Sequence, residues 1–338
     1  MSYKAQPIYL LDPLNKIPEI RKTINDHLST WLEQHSYTES KFLFHYTTLD
    51  GLKGILENRS IWFSHINTLN DPLELQYGRR IIIDEIEEFL KSETDPLLIS
   101  LFLTMKNFIS AFGIYMTHLY IACFCEDENL LSQWRSYSSN GGGYNVGIKI
   151  DSNTNYSINP TSFSKKPLIF LRKVIYIERD QKAIVKDYLT KIVVAFNEAR
   201  LRIKKEMGEI PITWETQAAL DTLNPLFDIM CCLKQEVFKE ETEWRLIMIN
   251  REDKVDFIKF REMGGSFIPY FDVHIYEDDS KPKFPIKKIK YGPLLENSDN
   301  DISLRLYIRH LAQMEKKIII KPEEVEISGA GYNLKSNK

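Results

Sequence analysis

Three short stretches bring together residue types that can do chemistry at close spacing. The first is His45-Tyr46-Thr47, which ends the apolar run Phe42–Tyr46. A histidine at a strand end can offer a ring nitrogen to a ligand hydroxyl, and the backbone groups after it can meet a planar amide. It can equally be spent on a hydrogen bond inside its own fold. The second, Ser132-Gln133-Trp134-Arg135-Ser136-Tyr137, runs into Asn140-Gly141-Gly142-Gly143. Arg135 carries a planar fork suited to a carboxylate or a phosphate pair, Trp134 a stacking face, and the glycines little steric demand. A helix that buries Trp134 and salt-bridges Arg135 accounts for the same residues. The third, Glu241-Thr242-Glu243-Trp244-Arg245, leads into Leu246-Ile247-Met248. As strand residues, Glu241 and Glu243 share a face, where each disfavours the other's ionised form unless a cation or a ligand lies near. A solvated strand start also explains the acids. Asn70-Asp71-Pro72 reads as a turn and puts a carboxylate, Glu74, shortly after the second apolar run.

These residues need elements to hold them. Helical spacing covers Ile20–His35, and Thr48 is placed to cap a helix over Leu49–Asn58. Further helices are expected at Ile81–Ser92, Pro96–Tyr115, Leu130–Tyr137, Asp180–Met207, Thr213–Lys234 and Ile302–Met314. Strands are expected at Phe42–Tyr46, Ile61–Ser64, Tyr120–Cys125, Tyr144–Ile150, Ile169–Ile177, Glu243–Ile249, Val255–Phe260, Phe267–Ile275, Ile286–Tyr291 and Val325–Ile327. Strands surround helices without regular βαβ alternation, which predicts an α+β fold with a largely antiparallel sheet. The expected organisation is an N-terminal helical extension over 1–40, one α+β domain over 41–330 with helical insertions near 78–116 and 180–235, and a tail over 331–338.

Composition narrows the classes. The chain of 338 residues is 43% hydrophobic and 27% charged, so it can bury a sizeable core. Met1–Leu11 lacks the pattern of a signal peptide. The most apolar window, Leu97–Cys125, is interrupted by Lys106, Asn107 and His118, which favours a buried helix and strand over a membrane span. The expected location is the cytoplasm. Cys123, Cys125, Cys231 and Cys232 lack the C-x-x-C spacing of a zinc site, so no metal is expected. With a net charge of −3, no global field favours nucleic acid, and the basic stretches at 165–173, 200–205 and 283–290 read as solvated faces.

The run "FHYTTLDGLKGILENRSIWFSHINTLNDPLE" resembles the opening signature of a bacterial family of domains of unknown function. That signature has a His-Tyr-Thr strand, a Gly-Leu-x-x-Ile-Leu helix and an Asn-Asp-Pro-x-Glu turn. "LLSQWRSYSSNGGGYNVGIKI", "EVFKEETEWRLI" and "IKKIKYGPL" resemble its later marks, over roughly residues 42–330. More distantly, the opening resembles ADP-ribosyltransferases, including the DarT-type enzymes that modify DNA. This second resemblance implies a transferase-like sheet and NAD as substrate. Glu243 would stabilise an oxocarbenium-like ribose, Glu241 would activate the acceptor and His45 would hold a ribose hydroxyl. Tyr46, Thr47, Trp134, Arg135, Asn70 and Glu74 would surround the dinucleotide. A nucleic acid or protein would accept ADP-ribose, in phage defence or as the action of a toxin. The alternative is a non-catalytic module of a bacterial defence system that senses a nucleotide or binds a partner.

Overall fold

The structure is a computed structural model that describes residues 40–68, 72–111, 119–158, 168–208, 214–250, 255–278, 280–296, 299–314, 316 and 318–331. The expected N-terminal helix, Asn70, Asp71 and residues 332–338 of the tail lie outside these residues. In chain order the first elements are β1 (Lys41–Thr47), α1 (Leu49–Asn58), β2 (Ser60–His65), α2 (Pro72–Ser92), α3 (Pro96–Ser110), β3 (Leu119–Cys125), α4 (Leu131–Tyr137), β4 (Tyr144–Ile150) and β5 (Asn155–Ser157). Then come β6 (Leu168–Lys173), α5 (Glu178–Met207), α6 (Trp214–Met230), β7 (Glu243–Ile249), β8 (Lys259–Met263), β9 (Ser266–Tyr276), β10 (Ile286–Tyr291), α7 (Asn300–Gln313) and β11 (Glu326–Gly329).

Where the sequence predicts one domain, contacts separate two compact units. One is helical and draws on 71–115 and 175–236; the other holds the sheet and draws on 37–70, 116–174 and 237–338. In the helical unit, Asp95 caps α3 through the Leu97 amide at 2.9 Å and pairs with Arg200 of α5. The Gln181 amide donates to the carbonyls of Ile175 and Lys234, joining the two ends of the second helical segment. No helix among the described residues is long and apolar enough to cross a membrane.

Among the described residues the sheet unit has eleven strands, antiparallel throughout except where β10 meets β11. Its register forks at β3. One edge of β3 is paired with β7, from Leu119↔Ile249 to Cys125↔Glu243, and β6 continues beyond β7. The other edge is shared by two strands. β1 meets it at Phe44↔Cys125, and β2 meets it at Ser64↔Ile121 and His65↔Tyr120. β1 then carries an arm of β4, β10 and β11, while β2 carries β9, whose outer edge takes β8 and β5. The main core lies on one face, where Leu43, Phe63, Phe124, Trp244 and Val273 pack with Leu52, Ile55 and Leu56 of α1 and Ile308 and Leu311 of α7. Each such side chain contributes about 1.5–3 kcal/mol by leaving water.

Candidate functional site

Along the edge of β3 that β1 and β2 share, the register passes from β2 at Tyr120 and Ile121 to β1 at Cys125, with residues 122–124 between the two. His45 reaches into that stretch. Its Nδ1 lies 2.9 Å from the Cys123 carbonyl, and its ring lies 5.6 Å from that of Phe124, its neighbour across the register. A carbonyl only accepts, so Nδ1 carries the proton and the neutral ring keeps Nε2 as an acceptor. Burial pushes the His45 pKa below its usual value. The Cys123 carbonyl opposes that shift and the Arg261 cation reinforces it. The half-buried ring is thus a neutral group able to accept from a ligand hydroxyl.

On the other side of the break, β2 and β9 carry a polar face, which by register is the face of Cys123 and Cys125 and not that of His45. Ser60, Trp62 and Ser64 of β2 share a face with Tyr270, Asp272 and His274 of β9, because Ser64 pairs with Tyr270 and Ser60 with His274. β8 adds Lys259 and Arg261 to the same face. The Arg261 guanidinium lies 5.2 Å from the Trp62 ring centre and 5.9 Å from that of Tyr270, and it donates to Ser64 Oγ at 2.9 Å. Its buried Nε has no hydrogen-bond partner. Two half-exposed aromatic rings flanking a guanidinium make a surface suited to a planar or anionic ligand.

The carboxylates do not join His45. Glu243 pairs with Cys125 and Cys125 with Phe44, so Glu243 shares the Phe44 face while His45 stands on the other. The expectation that His45 and Glu243 face one cleft is therefore corrected by strand parity. Nor is Glu243 an open carboxylate. It is buried and held two-pronged by Arg245, Nε to Oε1 at 2.8 Å and Nη2 to Oε2 at 2.9 Å. Glu241 does not alternate with it, because the chain is a 3₁₀ turn through Glu241 and Thr242 has φ 41°. A left-handed threonine resets the strand phase, so β7 begins only at Glu243. Glu241 is half-exposed.

Residues 133–246 match the model of a family described as a protein of unknown function, DUF2971. No curated protein and no solved structure matches the chain. The matched segment runs from α4 to β7. It contains Trp134, Arg135, Glu241 and Glu243, and it excludes His45.

The expected ligand-stacking rings are structural. Tyr46 Oη donates to the Asp127 carbonyl at 2.9 Å and accepts from the Leu130 amide at 2.8 Å, and burial pushes its pKa far up. Trp134 is fully buried, edge-on to Tyr46, and donates Nε1–H to Asn129 at 2.9 Å. Both rings serve the small core around Phe44 and Cys125. Arg135 is exposed on the same helix, and Thr47 is buried beside Gly51. Asn70 lies outside the described residues; Glu74 falls in the first turn of α2, and its side chain is likewise outside them. The triple glycine approaches the protein itself: Gly143 O accepts from the Gly292 amide at 2.8 Å, and a Cβ on Gly143 would stand 2.4 Å from Thr47 O. Sequence reasoning missed Trp62, Ser64, Arg261 and Tyr270. Their signal was the alternation of polar and apolar residues in Ser60–Ser64, which marks one apolar and one polar face.

Proposed function

We propose that this chain is an ADP-ribosyltransferase-like module that binds NAD or a related nucleotide at the fork and senses it, without using Glu243 as a catalyst. The observation that carries this reading is a neutral acceptor imidazole that bridges the break in the sheet and, within electrostatic reach of it, a guanidinium flanked by two aromatic rings. The first fits a ribose hydroxyl; the second fits a base plane or a phosphate. Glu243 does not help an oxocarbenium ion while Arg245 neutralises it.

Cleavage of the nicotinamide bond, with ADP-ribose passed to a nucleic acid or protein in phage defence or as a toxin, is a second reading. It draws on Thr242. A β-branched residue held at positive φ beside Glu241 is a backbone cost of the kind that gathers at working sites. Titration calorimetry with NAD, beside an assay of nicotinamide release, separates the two. Saturable binding lost in Arg261→Gln, with no release, supports the sensor. Release lost in Glu241→Gln supports the enzyme. No binding and no release would sink both.

A further inference from the structure

Beyond the fork, the polar face of β2 and β9 ends in a cavity of about 360 Å³ within the sheet unit. It lies at the Ser60 end of β2, whereas Arg261 bonds Ser64, four residues or about 13 Å along the strand. Its size is within the range of small-molecule sites. Arg59 forms one wall. It ends α1 in the left-handed conformation and is buried, with no carboxylate on its guanidinium among the described residues. Its Nη1 and Nη2 donate instead to the carbonyls of Leu56, Glu57 and Leu311, the C-terminal turns of α1 and α7. Helix carbonyls stabilise a cation there. One donor of that buried cation, Nε, has no partner.

Two ammonium groups, Lys259 and Lys316, line the same space, with His274. Of the two acids lining it, Asp272 is occupied by Ser60 Oγ and by Lys259 Nζ at 2.9 Å, and Asp256 is exposed. The uncommitted polar capacity is thus mostly that of donors. The remaining wall is apolar: Ile158, Ile318 and the exposed ring of Phe257. Donors on one side and a ring on the other call for a ligand with an anionic end and a flat organic body.

We propose that this cavity is a second ligand site, for a mononucleotide-class organic phosphate, with Arg59, Lys259 and Lys316 around the phosphate and Phe257 against the base. Titration of the full chain with AMP and with inorganic phosphate, at fixed ionic strength, tests it. AMP is expected to bind saturably and more tightly than phosphate. Lys316→Ala, a change at an exposed position, should weaken both by about tenfold, as expected for one lost charged contact. Phe257→Ala should weaken AMP alone, and the binding lost in Lys316→Ala should persist in the fork variant Arg261→Gln. Lys259→Gln, checked by its melt, provides an independent second variant. Absence of saturable AMP binding would overturn the proposal, as would unchanged affinity in both lysine variants. Loss in Arg261→Gln alone would move the ligand to the fork, overturning this site while leaving the fork reading standing.

Discussion

Glu243 carries two opposed expectations, and one substitution separates them. A transition-state stabiliser loses rate but not stability when its charge is removed. A buried ion-pair partner loses stability, because Arg245 is then left with an uncompensated charge. The structure favours the second. Glu243→Gln should cost about 3 kcal/mol, the low end for breaking a buried pair, because Gln keeps one acceptor for the guanidinium. That corresponds to roughly 6–10 °C in the melt. Glu241→Gln, at a half-exposed position, should cost less than about 1 kcal/mol. An unshifted melt in Glu243→Gln would return the residue to the mechanism. His45 gives a pH prediction. Its folded pKa lies below that of the unfolded chain, near ~6.5, so the unfolded chain binds more protons as pH falls. The stability it contributes is present above about pH 6.5 and lost below it. His274 is depressed in the same direction, also chiefly by burial. Wild type should therefore lose more stability between pH 7.5 and 5.5 than His45→Gln does, and parallel losses would refute the assignment. The histidine was legible from its strand-end position. The partner of Glu243 was not: Arg245, two residues on, shares its strand face, but the burial that makes the two an ion pair depends on the pairing of β7 with β3 and β6.

Local chemistry explains the elements that were read well. Thr48 accepts from the Gly51 amide at 3.2 Å and starts α1 where expected. Tyr144–Ile150 and Ile286–Tyr291 match their strands, although in the second the register shifts between Ile286 and Lys288, so that Ile286 and Ile289, three apart, both reach the core. The run at 255–260 was misread: Val255–Phe257 is a 3₁₀ turn, and β8 begins at Lys259. The signal that fixes this hairpin lay downstream. Met263 pairs with Ser266 across Gly264 and Gly265, both at positive φ (58° and 78°), the two-residue turn that glycine pairs favour. The basic stretch at 283–290 is not an open stripe either. Lys283 and Lys287 bond Glu324 at 2.8 and 2.6 Å and hold its carboxyl at about 2, while Lys288 and Lys290 bond Glu128. The glycine loop gives the prediction at this scale. In Gly143→Ala the new methyl must displace backbone, at 2.4 Å from Thr47 O and 2.8 Å from Ser138 C. Overpacking of that kind costs about 1–3 kcal/mol. Gly142→Ala meets nothing closer than 3.4 Å and should be nearly silent. Equal denaturant midpoints for the two variants would mean that the loop yields freely.

At the scale of the whole chain, the sequence announced an antiparallel sheet with inserted helices but not the fork, because no local pattern encodes which strands share one edge of β3. The fork depends on pairings such as Ser60↔His274, and on α1 and α7 meeting through Arg59 and the Leu311 carbonyl, 252 residues apart, and through Tyr307 and Glu57, 250 apart. Such contacts bring a loop-closure cost that rises with the logarithm of the loop length and is met before the contact stabilises anything. The hydrogen bonds inside each helix, by contrast, join residues only four apart. Refolding from denaturant should therefore be staged. Far-UV circular dichroism should recover most of the helical signal within milliseconds, while fluorescence of the buried Trp134 and Trp244 in the sheet unit recovers over a second or longer. Fourteen prolines can add a slow phase of their own, with isomerisation taking tens of seconds. A double-jump protocol, in which the chain is unfolded too briefly for prolines to isomerise, removes that phase. If both probes then follow one exponential, the sheet forms together with the helices, and the cost assigned to its long-range pairings is too high. If fluorescence still lags, the pairings at the fork form late, and His45→Gln, which removes the side chain bonded to the Cys123 carbonyl there, should speed unfolding more than it slows folding.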